Sequence, residues 1–341
     1  MSGPEKILKV EGLEVHFPAP SRDDPARMLR AVDGISFEVA KGSTFGIVGE
    51  SGSGKSTTAM SIMRLAPITR GRLDFQGRDI TALEGAALRK VRRHLQIVFQ
   101  DPYSSLDPRR SAGAIIREPL DRLGIGTRTQ REERVNALLQ MVGLRPDQAA
   151  LFPHQFSGGQ RQRINIARAL ASEPALVVCD EPVSALDVAI QAQVINLLKR
   201  LQKQLGLTYL FISHDLGVVQ YMCDEIAVLF LGRIVEQASR RELFTNAQHP
   251  YTRMLLAAVP SLDKIGKAGA APRALQDPPS PLKPPPGCPF HPRCAFAQAR
   301  CKTELPRLRE LGSAHKVACH YAGELFAAHG GGPTAALADP G

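Results

Sequence analysis

The sequence predicts an α/β fold, with a mostly helical insertion in its middle and a small cysteine-rich module near its end. Three observations predict it. Short apolar runs at 45–48, 95–99, 176–180, 208–213 and 226–231 alternate with helical stretches, the texture of strands buried on both faces. The first run ends in Gly49-Glu50-Ser51-Gly52-Ser53-Gly54-Lys55-Ser56, which fits G-x-x-x-x-G-K-[ST] between a strand and a helix. Residues 101–172 then change texture, to three helical segments separated by glycines.

Composition leaves a narrow field. A chain of 341 residues, 43% hydrophobic and 22% charged, is that of an ordinary globular protein with ample length for a core. No run approaches the roughly 18 apolar residues of a spanning helix, and MSGPEKILKV does not read as a signal peptide. The expectation is a cytoplasmic chain whose membrane role, if any, comes through partners. The formal charge of +10 is spread over scattered Lys and Arg rather than blocks, which favours a generally basic surface over a nucleic-acid footprint.

In chain order, 9–17 and 35–39 read as strands flanking a polar insertion at 18–30, and Gly42 turns the chain into the 45–48 strand. Phe17 ends the first strand; from the residues alone, a core ring is favoured over one stacking on a base. In the loop, glycines allow backbone N–H groups to point inward at an anion where side chains would block them. Lys55 adds a point charge for β- and γ-phosphates, the Ser56 hydroxyl can ligate Mg²⁺, and a helix starting near Lys55 through Thr57 directs its positive end at the same place. A ligand-free glycine turn is the weaker alternative.

Residues 57–65 fit a helix, 71–80 a hairpin turning at Gly77, and 95–99 a strand ending at Gln100, which could reach Mg²⁺ or an attacking water. Alone, Gln100 would be an ordinary loop residue. Helices are expected at 114–123, 131–142 and 160–171. The last is opened by Ser157-Gly158-Gly159-Gln160, where Ser157 can cap and the glycines expose N–H groups as a second anion site. The 176–181 run ends in Asp180 and Glu181. Set beside the phosphate loop, it would bring Asp180 to the Mg²⁺ shell and Glu181 to the water that attacks a γ-phosphate. Cys179 and Cys223 read as inert core thiols. A stripe of Ile190, Val194, Leu197, Leu198, Leu201 and Leu205 marks a helix that Gly206 ends. His214 follows the 208–213 strand, placed to bond a γ-phosphate, and 226–231 reads as the last core strand.

Taken together, Gly49–Ser56, Gln100, Ser157–Gln160, Asp180-Glu181 and His214 resemble, in this order, the ATP-binding-cassette ATPases over roughly residues 5–260. The resemblance implies a RecA-like P-loop core with an antiparallel β subdomain and a helical subdomain at about 101–172. It also implies a head-to-tail dimer in which Ser157-Gly158-Gly159 of one subunit covers the ATP of the other. Carried over by position, Gly49, Ser51, Gly52, Gly54, Lys55, Ser56 and Thr57 bind ATP and Mg²⁺, with Gln100 sensing the γ-phosphate. Asp180 supports the metal, Glu181 is the general base, His214 the switch histidine, and Asp187 sits at the dimer seam. Phe17 matches the adenine-stacking aromatic, which reverses the odds given above. The signature opens Phe-Ser where Leu-Ser is commoner.

A finer resemblance is to the F-type ATPase subunit of oligopeptide and dipeptide importers, carried by 100–109 (QDPYSSLDPR) and by His249-Pro250-Tyr251-Thr252 with Leu255 and Leu256. It implies a second, distinct ATPase, two permeases, an extracytoplasmic binding protein, and a place on the cytoplasmic face of the inner membrane. Residues 261–287, with seven prolines, read as a linker. Cys288, Cys294, Cys301 and Cys319 follow in a 288–325 module, spaced C-x5-C-x6-C-x17-C, before a tail at 326–341 of disordered composition. Disulfides are not expected in a cytoplasmic chain, so the four thiols argue for a soft metal. The family's C-terminal module resembles this stretch and favours a [4Fe–4S] cluster over Zn²⁺, with unmetallated thiols a live alternative. The resulting expectation is an ATPase that drives peptide import. Nickel, glutathione or another small solute is the alternative cargo, and a DNA-maintenance ATPase is the rival from another class.

Overall fold

A computed structural model describes residues 5–20, 24, 27–258, 279–312 and 314–326. Most of the expected linker at 261–287, and all but Phe326 of the expected tail, lie outside them. The N-terminal part holds β1 (Lys6–Pro18), β2 (Met28–Ala40), β3 (Thr44–Val48), α1 (Lys55–Ile62), β4 (Arg70–Phe75) and β5 (Arg78–Asp79). Strands β2-β1-β4-β5 form an antiparallel sheet. The polar insertion is shorter than its composition suggested. Phe17 pairs with Leu29 and Pro18 with Met28, so the hairpin ladder draws residues 28–30 into β2.

Next come α2 (Gly85–His94), β6 (Leu95–Val98), α3 (Ala112–Leu123), α4 (Arg128–Met141) and α5 (Gly158–Leu170). Each of the last three starts where a side chain satisfies orphan helix donors. Ser111 caps α3, while Thr127 with Gln130 and Ser157 with Gln160 form reciprocal capping boxes on α4 and α5. Gly124, at φ 65°, ends α3 in the left-handed conformation that glycine takes without a Cβ clash.

The rest is β7 (Leu176–Asp180), α6 (Val188–Leu205), β8 (Thr208–Ser213), α7 (Leu216–Met222), β9 (Glu225–Phe230), β10 (Arg233–Ser239), α8 (Arg240–Asn246) and α9 (Pro250–Ala257), followed by α10 (Ala299–Thr303), β11 (Arg309–Glu310) and β12 (Lys316–Val317). The main sheet runs β11-β12-β10-β9-β3-β8-β7-β6, parallel from β9 to β6 and antiparallel beyond. The Asp180 strand is separated from the phosphate-loop strand by β8. One expectation is corrected here. The 226–231 run is not the last strand of the sheet: β10 turns back on β9, and the cysteine segment adds two more through Glu236 opposite Val317.

Alternate residues of the central strands serve two cores, as a period of two requires. Leu176, Val178, Leu210 and Ile212 pack with the antiparallel sheet and α1. Val177, Cys179, Tyr209 and Phe211 pack on the other face with α3–α7 and with Cys288, Phe290 and Cys301. The cysteine segment therefore shares the main core.

Candidate active site

The loop after β3 is shaped by contacts that leave no room for side chains. A Cβ on Gly54, which sits at φ 104°, would lie 2.2 Å from the Ala31 carbonyl oxygen, and only glycine holds that backbone so close to β2. The Gly232 N–H donates to the Ser53 carbonyl at 2.9 Å, and the Glu50 N–H donates to the Tyr251 hydroxyl at the same distance, so the loop is backed by the β9–β10 turn and by α9. Ser51 and Gly52 form its exposed tip, and Thr57 lies in the first turn of α1.

Lys55 is buried and folds back over the loop, donating to the carbonyls of Gly49 at 2.8 Å and Glu50 at 2.9 Å. Burial holds its pKa below the ordinary lysine value, against the charges of Glu181, Asp180 and Glu50, which favour the ammonium. The Ser56 hydroxyl donates to Asp180 Oδ1 at 3.0 Å, so residues 124 positions apart meet although β8 separates their strands. Burial raises the Asp180 pKa, the Ser56 hydrogen bond opposes that, and Glu181 adds to it. A hydroxyl on a carboxylate is a hard-oxygen donor pair that fits Mg²⁺.

Glu181 is the centre of the cluster. Gln100 Nε2 donates to its Oε2 at 3.0 Å, His214 Nδ1 lies 3.1 Å from the same oxygen, and Lys55 Nζ is 4.0 Å from Oε1. The Glu181 backbone is left-handed, at φ 47°, and its N–H donates to the Ile212 carbonyl at 3.0 Å. Four residues singled out in sequence thus converge from the ends of β6, β7 and β8 and from the loop.

Other expected residues stand apart from this cluster. The hydrogen bonds of Ser157 and Gln160 close within the first turn of α5, and Asp187 caps α6 by accepting from the Ile190 N–H at 2.9 Å. Among the described residues, no hydrogen bond or ion pair joins them to Glu181 or the loop. Phe17 is half-buried against the antiparallel-sheet core. Sequence reasoning missed Tyr251 and Arg293. Tyr251 was read only as part of a tail pattern, and nothing in the sequence marks Arg293 as reaching Glu50 across 243 positions.

The four C-terminal cysteines are free and share one neighbourhood. Burial pushes Cys288 up to about 11 and Cys294 up to about 12, and each is raised further by the other sulfurs. Backbone N–H groups of Phe290, Phe296 and Tyr321 approach the sulfurs of Cys288, Cys294 and Cys319. In kind this donor set suits a soft metal; among the described residues, no three His, Cys, Asp or Glu side chains are already drawn together as an ion would hold them.

Comparison with known proteins places the chain in a family. Residues 32–184 match the ABC transporter family, and 235–301 match the oligopeptide/dipeptide transporter C-terminal region. A putative peptide import ATP-binding protein of Brucella ovis is 50% identical over 314 residues, 92% of this chain and 97% of that one. The oligopeptide transport ATP-binding protein AppF of Bacillus subtilis is 48% identical over 320 residues, 93% and 97% of the two chains. Among solved structures, the ATP-binding cassette MJ0796, a dimer bound to ADP and Pi, superposes with a TM-score of 0.62 at 29% identity, covering 69% of this chain and 99% of that one. The cbiO1 subunit of Clostridium perfringens, part of the ABC transporter complex cbiONQ, gives 0.60 at 29% identity, covering 70% and 91%.

Proposed function

The chain belongs to the ATP-binding-cassette transporter family, in its oligopeptide and dipeptide import branch, and from that premise we propose how its residues work. It is the ATP-hydrolysing subunit of a peptide importer. The observation that carries the mechanism is the convergence of Lys55, Gln100 and His214 on the Glu181 carboxylate.

Lys55 and the N–H groups of the loop and the first turn of α1, from Gly49 to Thr57 except those of Glu50 and Ser53, hold the β- and γ-phosphates. Ser56, Asp180 and Gln100 would hold Mg²⁺, which would supply positive charge against the charge developing on the transferred phosphoryl group. Glu181 takes the proton of the attacking water, His214 bonds the γ-phosphate, and Phe17 stacks on adenine. Ser157, Gly158, Gly159, Gln160 and Asp187 serve the nucleotide of a partner cassette, which is why their hydrogen bonds stay apart from the Glu181 cluster.

The finer assembly is a second, distinct ATPase, two permeases and an extracytoplasmic binding protein, with this chain at the cytoplasmic face of the inner membrane and no nucleic acid bound. In support, the relatives above are named for peptide import or oligopeptide transport, a neighbouring cassette is a dimer, and among the described residues no helix is long and apolar enough to cross a membrane. The helical segment after Gln100, within about 101–172, docks a coupling helix of the permease. The nickel, glutathione and DNA-maintenance readings are not favoured, since the matched C-terminal region is that of peptide transporters.

Affinity capture from membranes of the native host is expected to bring down two polytopic permeases and a different cassette ATPase. Soluble DNA-repair partners without permeases would overturn the transport assembly. The finer cofactor reading, a [4Fe–4S] cluster or Zn²⁺ on Cys288, Cys294, Cys301 and Cys319, is supported by the shared neighbourhood of the thiols and the N–H groups on their sulfurs. Anaerobically purified protein is expected to carry iron with sulfide, or zinc. Protein free of all three removes the reading.

A further inference from the structure

The cysteine module reaches into the phosphate loop. Arg293, the residue before Cys294, donates Nη1 to Glu50 Oε2 at 2.7 Å and Nη2 to Glu50 Oε1 at 2.9 Å. This is a bidentate pair in which the guanidinium side chain is 4% exposed and the carboxylate 25%. The guanidinium carbon lies 6.0 Å and 5.8 Å from the ring centres of Phe230 and Phe290. Those rings also pack with Tyr251, whose hydroxyl accepts the Glu50 N–H at 2.9 Å. Glu50 is thus held by its backbone from α9 and by its side chain from the C-terminal segment, while its own carbonyl accepts from Lys55 at 2.9 Å.

We propose that Arg293 is a positioning residue for the phosphate loop, pairing Glu50 so that a nucleoside triphosphate meets a fixed loop without a bare carboxylate beside it. The inference rests on the nucleotide reading given above. An unpaired carboxylate at the second position of a phosphate-binding loop opposes a polyanion, and the effect grows where water is scarce. Glu50 is close enough for its charge to favour the Lys55 ammonium, so it lies within electrostatic reach of the phosphate site. Arginine suits the task because its planar fork meets both carboxylate oxygens at once, whereas lysine would supply charge without the fork.

The test uses the full-length chain carrying Glu181→Gln to stop turnover, with MgATP binding measured by calorimetry. The parent is expected to bind, and Lys55→Ala to lose binding. If the parent does not bind MgATP, the nucleotide reading falls and this inference falls with it. Arg293→Ala is expected to raise Kd about tenfold, and Arg293→Lys about threefold. Adding Glu50→Gln to Arg293→Ala is expected to bring Kd back to within about threefold of the parent, because the repelling charge is gone. In the hydrolysing chain, Arg293→Ala is expected to raise KM about tenfold and leave kcat within about twofold. Unchanged affinity in Arg293→Ala overturns the proposal, as does a loss that Glu50→Gln does not relieve, which would leave Arg293 a packing residue only. If Arg293→Ala fails to fold, Arg293→Lys decides: unchanged affinity overturns the proposal.

Discussion

Glu181 carries a backbone and a side-chain constraint at once. A non-glycine residue in the left-handed region costs of order 1–3 kcal/mol, and the φ of 47° is held by the hydrogen bond to the Ile212 carbonyl. The return is direction: the carboxylate leaves the end of β7 toward Gln100, His214 and Lys55 rather than into the sheet. Replacing Glu181 with Gln keeps the shape and removes the proton acceptor. MgATP affinity is expected to hold while steady-state phosphate release falls by roughly 10²–10⁴. Near-normal hydrolysis by that variant would remove Glu181 from the base role.

Helix α9 is built on an unusual cap. His249 Nδ1 accepts from the Tyr251 N–H at 3.1 Å, which requires a neutral ring with Nδ1 unprotonated. Burial lowers the His249 pKa to about 4, opposed by Glu236, which also accepts the His249 N–H at 3.0 Å. A histidine depressed in the folded state contributes stability above its unfolded value of about 6.5, and that contribution is lost as pH falls through 4. The difference amounts to roughly 3 kcal/mol at the acid end. The urea midpoint is expected to drop between pH 6.5 and 4, and to drop less in His249→Asn, where the cap does not titrate. Parallel curves for the two proteins would mean that another group governs the acid limb.

Helix α5 has a mechanical part of its own. Its Arg168 donates to the Ser105 carbonyl at 2.6 Å, and its Arg161 lies 4.2 Å from the Tyr103 ring centre, so the helix that Ser157 opens also grips the segment following Gln100.

At the scale of the whole molecule, legibility followed locality. The phosphate loop, the capped helices and the apolar strands were readable because loop chemistry, capping and periodicity act over a few residues. The convergence of Gln100, Glu181 and His214 was readable only as an ordered set, since each residue alone has a commoner bland role. Strand order was not readable: nothing local in 176–180 says that β8 will come between it and β3. The short β12 escaped notice because two residues carry no periodicity, and it is held in place by distant partners. His315 lies 2.8 Å from the buried Glu236, and the Ala318 N–H donates to the Val235 carbonyl at 2.8 Å. Arg293 was hidden for the same reason.

That long reach has a consequence for how the protein comes into being. Glu50 waits for a partner 201 residues downstream and another 243 downstream, while β3 must find β8 and β9 from the far half of the chain. At about 5–20 residues per second, a ribosome runs on for roughly 12–50 s after making Glu50 before it has made Arg293. The loop that comes early in the chain is among the last parts to be finished, and a nascent chain stopped short of its cysteine segment holds that loop with one of its braces missing.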